Sequence, residues 1–144
     1  MPHWTERTQG RLRTTIMLPI ALPIVATVRL ALNLTHYARL AEWMPKAVGV
    51  THPRWAHAAS RAVQITARVI PGASCLTQAI AARAMLTLIG HQSWIRIGVR
   101  RDDDGAIMAH AWLVDARNRI LIGGTRAELA RFQPLADIDR PAQT

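Results

Sequence analysis

The chain has 144 residues, half of them hydrophobic, with one cysteine. That length excludes two independent domains and the apolar content excludes disorder, while a lone cysteine excludes an internal disulfide and fits a reducing, cytoplasmic compartment. Eighteen Lys and Arg against nine Asp and Glu leave a net charge of +9, a field that attracts nucleic acid, anionic lipid or an acidic peptide without choosing among them.

Arg7, Arg11 and Arg13 precede an apolar run from Ile16 to Val28, interrupted by Pro19 and Pro23. The run is shorter than the roughly 20 residues a membrane-spanning helix needs. Arg29 follows it where a small-residue cleavage site would close a signal peptide. Leu30, Leu34, Tyr37, Ala41 and Met44 continue at helical spacing, so residues 15–44 read as a helix packed on the domain and broken near the prolines. An uncleaved anchor making peripheral contact with a membrane is the alternative.

A second helical pattern covers Pro53 to Val69. Trp55, Ala58, Ala62, Ile65 and Val69 form the stripe expected in the core, and Arg54, Arg61 and Arg68 a solvated face. Pro71-Gly72 ends this helix. It divides one domain, 1–144, into a helical part (1–70) and a chemically richer part (71–135).

Ser74 is a good N-cap, which puts Cys75 in the first turn of a helix reaching about Ile89 and ended by Gly90. A helix N-terminus carries partial positive charge and unpaired N–H groups, which favour a thiolate and can hold an oxyanion. A lone cysteine can equally be a small buried hydrophobe. Trp94 to Arg100 alternates as a strand, with Ile95, Ile97 and Val99 on one side. Asp102-Asp103-Asp104-Gly105 is a turn; it lacks the ligand spacing of a calcium loop, so its carboxylates read as solvated and no metal is expected. Ala106 to Val114 reads as a second strand, apolar on both faces like a central one. It carries His110 between two alanines, with Trp112 on the same face. A helix opening on cysteine, then strand, turn and a strand bearing histidine, is a layout that lets a thiol and an imidazole meet.

Cys75-Leu76-Thr77-Gln78-Ala79, Ile97-Gly98-Val99-Arg100, Ala109-His110-Ala111-Trp112-Leu113 and Leu121-Ile122-Gly123-Gly124 occur in that order. Together they resemble the leader peptidases (B proteins) of lasso-peptide biosynthesis over about residues 55 to 125. The resemblance implies an α+β fold: a transglutaminase-like, papain-type cysteine peptidase core with N-terminal helices and a small antiparallel sheet. It implies Cys75 as nucleophile and His110 as base, in a family using a Cys-His-Asp triad, and no cofactor, metal or nucleic acid. The implied partners are the lasso precursor peptide, a separate leader-recognition protein and a macrolactam-forming cyclase.

Asp115 is the candidate third member, but five residues from His110 along a strand it points to the other face. A two-residue turn at Arg117-Asn118 would set His110 opposite Thr125, and one at Ala116-Arg117 opposite Gly123. Neither brings a carboxylate to the ring. Asp115 then either reaches His110 through a bulge or opens the hairpin, leaving a dyad oriented by a backbone carbonyl, water or a more distant group. Thr125-Arg126-Ala127-Glu128 reads as a capping box starting a short helix that ends before Pro134, so Glu128 is a cap rather than a catalytic acid. Gln78, one turn beyond Cys75, either lines the site or lies on an ordinary helix surface. Two other function classes fit: another transglutaminase-like amidase or acyltransferase using the same pair, and a basic module that binds membrane or nucleic acid without chemistry.

Overall fold

Four helices and four strands follow one another in the computed structural model, which describes residues 3–36, 39, 53–138 and 140. They are α1 (His3–Leu34), α2 (Pro53–Ala67), α3 (Cys75–Leu88), β1 (Ser93–Arg101), β2 (Ile107–Asp115), β3 (Ile120–Ile122), α4 (Arg126–Leu129) and β4 (Gln133–Ile138). This is a mixed α+β fold with a four-stranded antiparallel sheet in the order β3-β2-β1-β4.

α1 begins well before residue 15 and passes Pro19 and Pro23 without the expected break. Each proline removes one helical N–H donor. The helix is held instead by tertiary packing, through a stripe of Met17, Ala21, Val25 and Val28 buried against α2 and α3. Leu30 and Leu34, expected to pack, face solvent. The expected continuation through Tyr37, Ala41 and Met44 lies outside the described residues.

α2 turns a slightly different face inward than its large side chains suggest. Ala58 and Ala62 are buried as expected, joined by Ala56, Ala59, Val63 and Thr66, while Trp55 and Ile65 sit at the margin. Val69 falls past the helix end and is exposed. The small residues win the interior because α1 approaches closely there, whereas bulky ones would hold it off. Arg54, Arg61 and Arg68 are exposed, as expected. α3 is apolar nearly all round because it is covered by α1 and α2 on one side and by the sheet on the other; Ile80, Met85 and Leu86 are fully buried.

β1 and β2 pair along their whole length, from Ser93↔Asp115 to Arg101↔Ile107. β2 is not apolar-buried throughout. Its first three residues are exposed, and burial begins at Ala111, because β3 covers the strand only near Leu113 and Val114. β4 was not foreseen and carries the sheet to Ile138, past the expected limit of 135. It lies at the edge beside β1, with Pro134 opposite Gly98 where the register shifts. An edge bulge is a place where a strand tolerates proline. Arg96 fastens β4 to β1 through paired hydrogen bonds to Asp137, at 2.6 and 2.9 Å.

Candidate active site

The turn before α3 sets the thiol. Ile70 accepts a hydrogen bond from Ala73 N–H, and Gly72 takes a left-handed φ of 73° that glycine adopts without strain. Arg29 of α1 donates to the Pro71 carbonyl, tying this turn to the N-terminal helix. Ser74 is the N-cap, with extended backbone and a side chain that accepts from Thr77 N–H. The next amide, Gln78 N–H, reaches the Ser74 carbonyl. Cys75 is thus the first helical residue, half-buried, its thiol free. Its amide and that of Leu76 belong to the first turn, whose donors have no intrahelical acceptor.

His110 comes from the middle of β2, half-buried, opposite Gly98. Its Nε2 lies 2.6 Å from the Gly123 carbonyl oxygen. A carbonyl only accepts, so Nε2 carries a proton, and whenever the ring is neutral its lone pair is on Nδ1. The hairpin explains how Gly123 arrives there. Asp115 N–H donates to the Arg119 carbonyl around a three-residue loop, with Asn118 at φ 59°. The register then slips between Leu113↔Ile122 and Val114↔Ile120. After the slip, pairing stops at Ile122, and Gly123 and Gly124 leave the sheet at φ 113° and 142°. A Cβ on Gly123 would lie 2.4 Å from Trp112 Cβ, so only glycine lets the chain pass this close.

Cys75 and His110 line one cleft of about 580 Å³ together with Gln64, Gln78, Gly123 and Phe132. The imidazole and thiol are not hydrogen-bonded to each other here; such pairs are often loose before substrate binds. Phe132 and Trp112 wall the imidazole, with ring centroids 5.3 and 6.1 Å away. Arg100, also lining the cleft, lies over the Phe132 ring at 5.3 Å. Glu128 lines the cleft too, but the Thr125 N–H and hydroxyl hold its carboxylate below the usual range, with the nearby His110 adding to this. That is the capping box expected from the sequence.

Asp115 is not with His110. It is buried in a separate cluster. Its Oδ1 accepts the N–H groups of Arg117 and Arg119, and its Oδ2 faces the Arg119 guanidinium at 2.6 Å and His91 Nε2 at 3.6 Å. Burial works against its charge, but the Arg119 side-chain and backbone hydrogen bonds, with the Arg117 N–H, outweigh this and hold the carboxyl below the usual range. Asp115 thus ties the hairpin at the end of β2 and makes no contact with His110, so it does not stand as the expected third member beside the imidazole. The acidic turn is likewise structural, Asp102 accepting N–H bonds from Asp104 and Ala106. No group of three or more metal-binding side chains occurs among the described residues.

Gln64, Arg131 and Phe132 were missed by sequence reasoning. Gln64 lies on the solvent side of α2, where nothing in the helical pattern marks it, and Phe132 falls in the segment expected to continue the last helix to Pro134, whereas α4 ends at Leu129. That Phe132 is the chain's one phenylalanine was the available signal. A family model described as the transglutaminase-like superfamily matches residues 18–137, from the middle of α1 to the end of β4. No curated protein and no solved structure matches the chain.

Proposed function

We propose that this chain, which belongs to the transglutaminase-like superfamily, is a cysteine peptidase that cuts the leader from a lasso-peptide precursor. Members of that superfamily are typically cysteine-based enzymes. The observation that carries the reading is the meeting, in one cleft, of a thiol at a helix start and an imidazole whose Nε2 is engaged by a backbone carbonyl. The ordered motifs resembling lasso leader peptidases supply the substrate.

In this reading the free lone pair on His110 Nδ1 takes the Cys75 proton, and the thiolate attacks the carbonyl at the leader–core junction. The Gly123 carbonyl takes the place of a carboxylate: it orients the ring and accepts from the imidazolium. The Cys75 and Leu76 amides are suited to receive the oxyanion, in a turn whose macrodipole favours negative charge. His110 then returns the proton to the leaving amine, and water releases the acyl-enzyme. The precursor arrives with a separate leader-recognition protein, and the freed core passes to a cyclase that closes the macrolactam ring.

The test is Cys75→Ala. Wild type and variant are incubated with precursor and recognition protein, and products are followed by mass spectrometry. The variant keeps its thermal stability, since alanine suits a helix start, and yields no cleaved core. Normal cleavage by the variant sinks the peptidase reading. Transfer of the acyl group to an added amine in preference to water favours an acyltransferase instead.

A further inference from the structure

Among the described residues, the outer face of α1 is an apolar surface without a packing partner. On a helix of about 3.6 residues per turn, Leu12, Ile16, Ile20, Leu30 and Leu34 fall opposite the stripe that packs on α2 and α3. Their exposures run from 44% at Ile20 to 74% at Leu34. Pro19 and Pro23 lie on the same side and are exposed. The stripe is about 33 Å long at about 1.5 Å per residue. Monomeric soluble proteins rarely expose such a surface without a use for it.

Charge decides which partner it fits. No Asp or Glu occurs between Glu6 and Glu42, while Arg13 borders the stripe and Arg11 lies on the flank of the helix toward α2. The Arg13 guanidinium lies over the Trp55 ring at 5.7 Å, and Arg11 lines a groove with Arg7 and Arg61. Aliphatic side chains flanked by arginines, without a carboxylate, match acyl chains beneath anionic headgroups. A protein partner would more often meet aromatic anchors and a mixed-charge rim. α1 is long and apolar enough to cross a membrane. However, Met17, Ala21, Val25 and Val28 are buried against the rest of the fold, so acyl chains cannot surround it.

We infer that α1 lies in the headgroup boundary of an anionic bilayer through Leu12, Ile16, Ile20, Leu30 and Leu34, holding the domain on the membrane as a peripheral protein. This does not depend on the peptidase reading.

The experiment is flotation of the full chain with vesicles of phosphatidylcholine alone or with added phosphatidylglycerol. Wild type binds the anionic vesicles more tightly, by on the order of tenfold or more, and high salt weakens the binding. A Leu12→Ser, Ile16→Ser, Ile20→Ser variant with an unchanged circular dichroism spectrum loses it. Arg11→Gln with Arg13→Gln lowers binding to anionic vesicles while leaving the weak binding to neutral ones. The inference is overturned if wild type ignores both vesicles, or if the serine variant binds as well as wild type. It is also overturned if the serine changes instead turn a dimer into a monomer or abolish capture by a leader-recognition protein without altering flotation. Bound wild type that resists both salt and alkaline carbonate would mean that α1 spans the bilayer, and would overturn it too.

Discussion

At Gly123 one missing methyl group governs the proposed chemistry. The backbone there is left-handed, at φ 113°, and a Cβ would sit 2.4 Å from Trp112 Cβ and 2.9 Å from its Cα. Gly123→Ala must therefore move the carbonyl that holds His110 Nε2. Cleavage should fall by on the order of a hundredfold, as for a catalytic group displaced by about 1 Å, with a stability cost of roughly 1–3 kcal/mol. Single-turnover rates and urea melts measured on the same sample check both. A variant with wild-type turnover would remove Gly123 from the positioning role. Asp115→Asn should do the reverse. It weakens hydrogen bonds to a buried charge, costing on the order of 2 kcal/mol, and leaves turnover within roughly tenfold because His110 is held elsewhere. A loss above a thousandfold at unchanged stability would restore Asp115 to the catalytic group.

Among the elements, β4 is the one whose attachment is least expected. It joins the sheet through the Arg96–Asp137 pair and a bulge at Gly98, where a Cβ would meet the Trp112 ring at 2.6 Å and the Gln133 carbonyl at 3.0 Å. Gly98→Ala forces Trp112 and β4 apart and, with Trp112, disturbs the wall behind His110. The expected destabilisation is about 1–3 kcal/mol, accompanied by a changed near-ultraviolet dichroism signal from the tryptophans. An unaltered spectrum and melting temperature would mean that β4 is looser than described. The helices were easier to anticipate. Ser74, Pro71-Gly72 and Gly90 mark α3 by local chemistry, and Thr125 with Glu128 marks α4. On α2 the expected Ala58 and Ala62 are buried, but close packing against α1 favours further small residues over Trp55 and Ile65 at the margin.

For the molecule as a whole, pH reports on the carboxylates outside the cleft. Hydrogen bonding to Arg96 holds the Asp137 carboxyl below its usual range despite burial, with the charges of Arg96 and Arg140 assisting. Asp115 is depressed by its own partners. A depressed carboxyl binds fewer protons folded than unfolded. Its contribution is present above the unfolded value of about 3.9 and is lost as pH falls through the lower folded value. Urea midpoints should stay nearly level from pH 7 to about 5 and drop below about 4. The doubly substituted Asp115→Asn, Asp137→Asn chain should start lower at pH 7 and fall less steeply. Equal slopes would mean that neither pair is maintained in solution.

The sequence alone determined the features that rest on neighbours along the chain. These are the cap before Cys75, the helix it opens, the β1–β2 hairpin with its acidic turn, and the parity that sets Asp115 and His110 on opposite faces. Each depends on contacts a few residues apart, where spacing fixes geometry. Tertiary structure decided what pairs across long separations. It chose the Gly123 carbonyl as the partner of His110, because that outcome turns on a one-residue slip in β3 that no local pattern specifies. It brought Gln64 and Phe132 into the cleft from segments that carry no chemical motif. It also carried α1 unbroken past two prolines, since buried packing along Met17, Ala21, Val25 and Val28 outweighs the missing helical hydrogen bonds.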